Sequence, residues 1–334
     1  MVSRGRFKGL SLKLLLPLAL LCLLAAPRMV SLILSNIGMV SLGHSLATPG
    51  LAKSARTLAQ AEVWFERAVA ATDRNASAHR GLARILFLRG DDSQSLLHWQ
   101  MGGMEAQHLI LWGEQAFREG QHELALRWYQ QAALVDPAGA SDALYLQHQT
   151  LMESGEEGLA WTRLHEAVAL DRGWPSGETR FLVWQRWGLH LREIGDMEQA
   201  EDALSKAIAV FPEEPDKDLS LALAYRLLGE IQLDLGMLQA AAQNLRASLQ
   251  LDAESAWVHL ALGKAMYLSG AESPDQAQQV FATALQLGAS DAAIWNQLIE
   301  FWRANGELER ARSLCEDGEQ VGLSDLLRDA CTWP

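Results

Sequence analysis

The stretch WQRWGLHLREIGDMEQAEDALSKAIAVFP, from Trp184 to Pro212, recurs with variations along most of the chain, and that recurrence restricts the fold more tightly than composition does. Trp184, Trp187, Gly188 and Leu191 stand at three- and four-residue intervals, the period of one helix face, and Gly195 supplies a stop. Ala200, Leu204 and Ala207 mark a second helix, and Pro212 follows where a helix cannot continue. The unit is a helical hairpin whose small residues Gly188, Ala200 and Ala207 predict closely crossing axes. A lone hairpin cannot bury its apolar face, so copies are required. From Ala106 the marks read Leu109, Trp112, Gly113, Gly120, Ala125, Tyr129, Ala132 and Pro137. From Ala222 they read Tyr225, Leu228, Gly229, Gly236, Ala241, Leu245 and Leu251, and from Ala256 they read Leu262, Gly263, Gly270, Ala277, Phe281 and Ala284. A unit from Ala292 shows Trp295, Leu298, Gly306 and Ala311. Weaker copies start at Ala76 and Ser141, and Ala61, Phe65 and Ala68 mark the second helix of an opening unit.

The pattern Trp-x-x-Trp-Gly-x-x-Leu…Ala-x-x-x-Leu…Pro resembles the tetratricopeptide repeat, a two-helix unit of about 34 residues. The resemblance covers Asn36 to Pro334, about eight units, best in 106–139, 181–214, 222–255, 256–291 and 292–325. It implies an all-α, right-handed superhelical solenoid. Gln147 and His148 replace the large-small pair in the unit from Ser141, and Gly102 replaces the usual Ala in the unit from Ala76, so looser packing is expected at both. Gly173–Arg180 and Pro215–Leu221 add residues between units, as turns running into lengthened first helices.

Ahead of the repeats lies a segment of different character, residues 1–35, read as a basic stub and a membrane anchor. Leu14 to Ala26 is apolar, the length of a signal peptide, and continuing past Arg28 to Leu34 gives a run long enough to span as an anchor. Pro27 disfavours cleavage after Ala26, and Ser45-Leu46-Ala47 lies far from the apolar run; anchor and cleaved signal both remain open. Arg4, Arg6, Lys8 and Lys13 precede the run, which places the N-terminus in the cytoplasm and the repeats outside it, as in a bacterial inner membrane protein. Cleavage would instead give a secreted or periplasmic protein. Asn36 to Gly50 forms the first helix of the opening repeat, marked by Leu42, Gly43 and Leu46, and the second runs from Leu51 to about Thr72.

Charge excludes one class of partner. No Asp or Glu precedes Glu62, and taking the five basic residues through Arg28 from the total of 28 leaves 23 against 41 acidic ones. Residues 29–334 thus carry about −18, which disfavours nucleic acid, whose phosphates need a basic stripe. Chemistry is equally hard to find. There is no Cys-x-x-Cys, His-Glu-x-x-His, Gly-x-x-x-x-Gly-Lys or Gly-x-Ser-x-Gly, and His165 with Glu166 reads as a surface pair. Asn75-Ala76-Ser77 fits a glycosylation sequon of the kind chance supplies. Cys315 and Cys331 fall on adjoining elements, the second in a short capping helix, but about a turn out of line, which favours buried thiols over a disulfide.

No enzyme, cofactor or metal follows from these residues. The resemblance implies a non-enzymatic protein-binding scaffold, with a structural subunit of a membrane complex, held by its outer face, as the alternative and an enzyme whose site is not visible in the sequence as a weaker one. Tetratricopeptide repeats line a concave groove with their first helices, and the groove-facing positions fall here on Arg80, Arg84, Phe87, Phe117, Met152, Leu189, Leu233 and Tyr267. That set predicts an apolar trough, basic near one end, suited to an amphipathic helix or an extended segment. The competing reading is that some of these side chains pack beneath neighbouring helices. Ile110 and Glu114 break the Lys and Asn pattern of the two-carboxylate clamp in chaperone-binding relatives, so a chaperone tail is not expected.

Overall fold

A computed structural model describes residues 12–47, 51–136, 139–170, 177–211, 218–270 and 273–332, with side chains for all but 12–25, 44–47, 51–54 and 218. Pro137, Pro212, residues 173–176 and residues 215–217, each given a role above, lie outside the described residues. The described residues contain sixteen helices and no strand. They divide into two compact units that meet at Arg163 and Leu164 in the sequence. The first holds α1 (Leu12–Ala47), α2 (Leu51–Ala71), α3 (Ala76–Leu88), α4 (Asp92–Met101), α5 (Ala106–Arg118), α6 (His122–Val135), α7 (Ala140–Glu153) and the start of α8 (Glu157–Ala169). The second continues with α9 (Gly177–Glu193), α10 (Met197–Ala209), α11 (Asp218–Asp234), α12 (Leu238–Leu251), α13 (Ala256–Ser269), α14 (Pro274–Leu287), α15 (Ala292–Ala304) and α16 (Leu308–Gln320). Odd-numbered helices open the hairpins and even-numbered ones close them.

The hairpin turns are built from local sequence. Gly120, Gly195, Gly236 and Gly306 take φ of 73°, 87°, 74° and 77°, a left-handed conformation that other residues resist. At each, the following amide reaches back five residues, as Asp196 N to Leu191 O at 2.9 Å and Glu307 N to Trp302 O at 2.9 Å. This satisfies carbonyls that the helix end would leave unpaired. Asp91 and Asp196 then cap the next helices by accepting from Gln94 N and Gln199 N, and Ser273 with Gln276 forms a full capping box.

Where the hairpins cross, small residues face large ones. A methyl group added at Gly188 would stand 2.8 Å from Leu204, and at Gly229 2.7 Å from Leu245, so the close crossing expected from spacing is present. In the opening hairpin the residue that does this is Gly38. A methyl there would meet the Phe65 ring at 2.7 Å, whereas Gly43, the expected mark, has nothing within 4 Å. Gln147 and His148 do not loosen their joint. Both are buried, and His148 Nδ1 pairs with the Ala160 carbonyl across the hairpin at 3.0 Å. Asn75 is no glycosylation acceptor in the folded chain. It is buried, its Oδ1 caps α3 by accepting from Ala78 N, and its Nδ2 donates to Ser31.

After α16 the chain makes turns in place of the expected capping helix and buries Leu323, Leu327 and Ala330 against the core of the second unit. That fold-back brings Cys315 and Cys331 to a Cα separation of 5.9 Å, and they are disulfide-bonded. The preference for buried thiols is thereby corrected: an irregular turn supplies the alignment that a second regular helix would lack.

The expected division at residue 35 falls inside α1, which is continuous. Ala26–Gly43 within it has mean hydropathy 1.2 and is long and apolar enough to cross a membrane by length and composition.

Candidate partner-binding grooves

In each unit the first helices of successive hairpins line a recess. In the first unit Arg80, Gly81 and Arg84 of α3, Met39 and Leu42 of α1 and Trp112 of α5 share a space of about 250 Å³. Arg84 lies over the Trp112 ring, 4.6 Å from its centroid, and its Nε is buried without a hydrogen-bond partner. Burial pushes the Arg84 guanidinium below its ordinary pKa, since the charge has lost water without gaining a carboxylate. Arg80 donates from Nε to the Gly102 carbonyl at 2.9 Å. A methyl on residue 102 would stand 2.8 Å from Arg80 Cγ, so glycine there leaves room for the arginine. Phe117 lines a second hollow of about 230 Å³ with Glu114, Arg118, Tyr129, Leu146 and Gln149.

The second unit has a recess of about 520 Å³, lined from α9, α11, α13 and α15. Its walls are charged. Arg192 pairs with Glu230 at 2.8 Å, Arg226 approaches the other Glu230 oxygen at 3.6 Å, and Lys264 donates to Gln297 Oε1 at 2.9 Å. Burial lowers the Lys264 pKa, with Asp234, Glu230 and Glu300 pulling the other way. Trp257 and Leu233 supply the apolar surface. The arrangement can hold an extended segment through complementary charge on both signs and one aromatic anchor. The expectation of an apolar middle is corrected here.

The structure brings some of the expected groove residues into these recesses and leaves others out. Arg80, Arg84, Phe117 and Leu233 line them. Phe87 does not: it is wholly buried, stacked on Trp128 with centroids 3.6 Å apart and under Arg127. Its position in α3 points beneath the next hairpin, so it is core. Tyr267 is held edge-on to Phe301 and Trp302, and its hydroxyl donates to Glu307 at 3.0 Å. Leu189 packs partly buried against the core of its unit, and Met152 is exposed. Arg192, Arg226, Trp257 and Lys264 were missed. A signal existed: Arg84, Glu230 and Lys264 each directly follow the small residue of their first helix, and Arg192 follows Gly188 by four.

A pair of histidines also escaped notice. His79 and His98, nineteen residues apart, meet across the α3–α4 hairpin with Nδ1 atoms 2.8 Å apart. His79 Nε2 lies 2.8 Å from the Asp73 carbonyl, which only accepts, so Nε2 carries the proton and Nδ1 accepts from His98.

Stacked two-helix units with recesses walled by their first helices define a helical-repeat scaffold. Residues 180–254 and 262–320 each match a family model described as tetratricopeptide repeat, so these stretches carry tetratricopeptide repeats. No curated protein matches it. Partial likeness to solved structures includes MamA 41-end from Desulfovibrio magneticus RS-1 (22% identity, 56% of this chain and 96% of that one, TM-score 0.41). Pseudomonas aeruginosa pilF (19%, 67% and 96%, TM-score 0.43) and YrrB, described as a TPR protein with an unusual peptide-binding site (16%, 69% and 95%, TM-score 0.41), are others.

Proposed function

We propose that the chain is a non-enzymatic adaptor, anchored at a membrane by α1 with its repeats on the extracytoplasmic side, that takes a segment of a partner protein into its first-helix grooves and serves assembly or function of a cell-envelope complex. The observation that supports this best is the recess of the second unit, because four separate first helices contribute to it. In the first unit Arg80, Arg84, Phe117 and Met152 form a partner surface of their own, and in the second Leu233 and Leu189 add to the recess. Phe87 and Tyr267 act through packing. The bound segment is an extended strand or an amphipathic helix carrying charges of both signs and an apolar side chain for Trp257. A photoreactive amino acid placed at Trp257 or Gln297 tests the reading. Adducts to a defined partner from these positions, and none from Leu287 or Leu308 on second helices, are expected. The reverse pattern would establish the structural subunit held by its outer face.

A further inference from the structure

The first unit begins on α1 without a spacer. Ser31 Oγ donates to the Ala68 carbonyl at 2.6 Å, and Asn75 Nδ2 donates to Ser31 Oγ at 2.7 Å, so repeat packing starts at Ser31. Ser35, Gly38 and Leu42 continue the same buried side. The twenty residues from Leu12 to Ser31 span about 30 Å as a helix, the thickness of a hydrocarbon core. The opposite side of α1 stays apolar beyond that point. Met29 is 60% exposed, Ile33 57% and Val40 62%, with Ile37 on the same stripe. An apolar stripe continuous with a span and facing outward is suited to the bilayer interface.

Beside the stripe is a recess of about 540 Å³ bordered by Arg28 and Leu32 of α1, Thr72 and Arg74 of the following loop, and Ser77 and Arg80 of α3. Among the described residues none of the three arginines takes part in an ion pair. No acidic residue precedes Glu62, and among the described residues Asp73 makes no ion pair with them. Three arginines from separate elements thus converge a single turn from where the span ends, at the depth of lipid phosphates.

We propose that the corner formed by α1, the α2–α3 loop and α3 seats on an anionic bilayer surface, with Arg28 and Arg74 on lipid phosphates and the Met29–Val40 side of α1 in the interfacial layer. This rests on α1 being an uncleaved span. Seating fixes the first repeat against the membrane, so the recesses of the first unit are held at a set height and do not swing on a tether.

The test uses the full chain with Cys22→Ser and a single reporter cysteine, Val40→Cys or, as a control, Leu134→Cys, reconstituted in vesicles of phosphatidylcholine alone or in equal mixture with phosphatidylglycerol. The rate of maleimide reaction is measured. Val40→Cys should react at least roughly threefold more slowly in the anionic vesicles, given about fivefold per surface cation at full contact. Leu134→Cys should show no difference, and Arg28→Gln with Arg74→Gln, both exposed positions, should abolish the slowing. Equal Val40→Cys rates in protein that resists alkaline extraction would overturn the seat and leave the anchor standing. Release by alkaline extraction would overturn both. Slowing produced in phosphatidylcholine by inorganic phosphate would overturn the lipid as the source of the anion.

Discussion

Phe65 of α2 lies between two glycines, Gly38 of α1 and Gly81 of α3, and is wholly buried. Neither neighbour can gain a methyl without moving a ring that is blocked on its other face. Gly38→Ala should therefore lower the stability of the first unit by roughly 1–3 kcal/mol, the usual cost of overpacking, despite alanine's better helix propensity. Gly43→Ala, five residues on in the same helix and facing open space, should raise it by up to about 1 kcal/mol. Thermal unfolding of the two variants followed by circular dichroism checks the sign of each. The histidine pair makes a second prediction at this scale. Burial, and then the neighbouring His79, lower the pKa of His98 in the folded chain. The unfolded chain therefore binds a proton first, and stability that is full above about pH 6.5 is lost as pH falls through the folded value. The melting temperature should drop on acidification from neutral pH toward 5.5, and His98→Gln should flatten that drop; an equally steep profile in the variant would remove the pair from the account.

Individual elements were legible where their signal is local. Gly195 and Gly236 end helices because a left-handed turn is decided within six residues, and the repeat marks at Leu204, Ala207 and Leu245 report burial that every hairpin of this type requires. Gly38 and Gly43 could not be told apart, because which one faces Phe65 depends on the register of α1 against α2. Phe87 misled for a related reason: on a first helix, the positions that face the groove and those that face the next hairpin are one step apart. The pairing of His79 with His98, and of Cys315 with Cys331, depends on how two elements fold together and leaves no trace in spacing. That second pairing has a measurable consequence at the scale of the element. The bridge closes the turn after α16 over Trp295, Leu323 and Leu327, ending the core of the second unit. A loop of 16 residues closed this way contributes about 3 kcal/mol in the chain-entropy account. Cys315→Ser with Cys331→Ser should lower the denaturant midpoint and raise amide exchange from Gly318 to Cys331, while leaving exchange in the first unit unchanged.

For the whole molecule, net charge of −13 and a basic front segment argue in the same direction as the grooves. In the second unit Arg192, Arg226 and Lys264 gather, with Glu230 and Asp234 among them, in a recess that four first helices share. A partner segment approaching an acidic protein is directed toward such a place by charge and retained there by apolar contact. Trp257 and Lys264 are the pair to remove: the indole lies partly buried on the recess wall, and the ammonium is held by Gln297 alone among the hydrogen bonds described. Trp257→Ala with Lys264→Gln should weaken capture of the partner segment at least roughly tenfold while the unit stays folded, the melting temperature falling modestly because Trp257 packs partly buried against the core. Raising the salt concentration should mimic the lysine change and not the tryptophan change, since screening acts on the charge and not on the apolar contact. Binding measured by titration at two ionic strengths separates the contributions. Capture that is indifferent to both substitutions in a folded protein would move the partner off the first helices and onto the outer face.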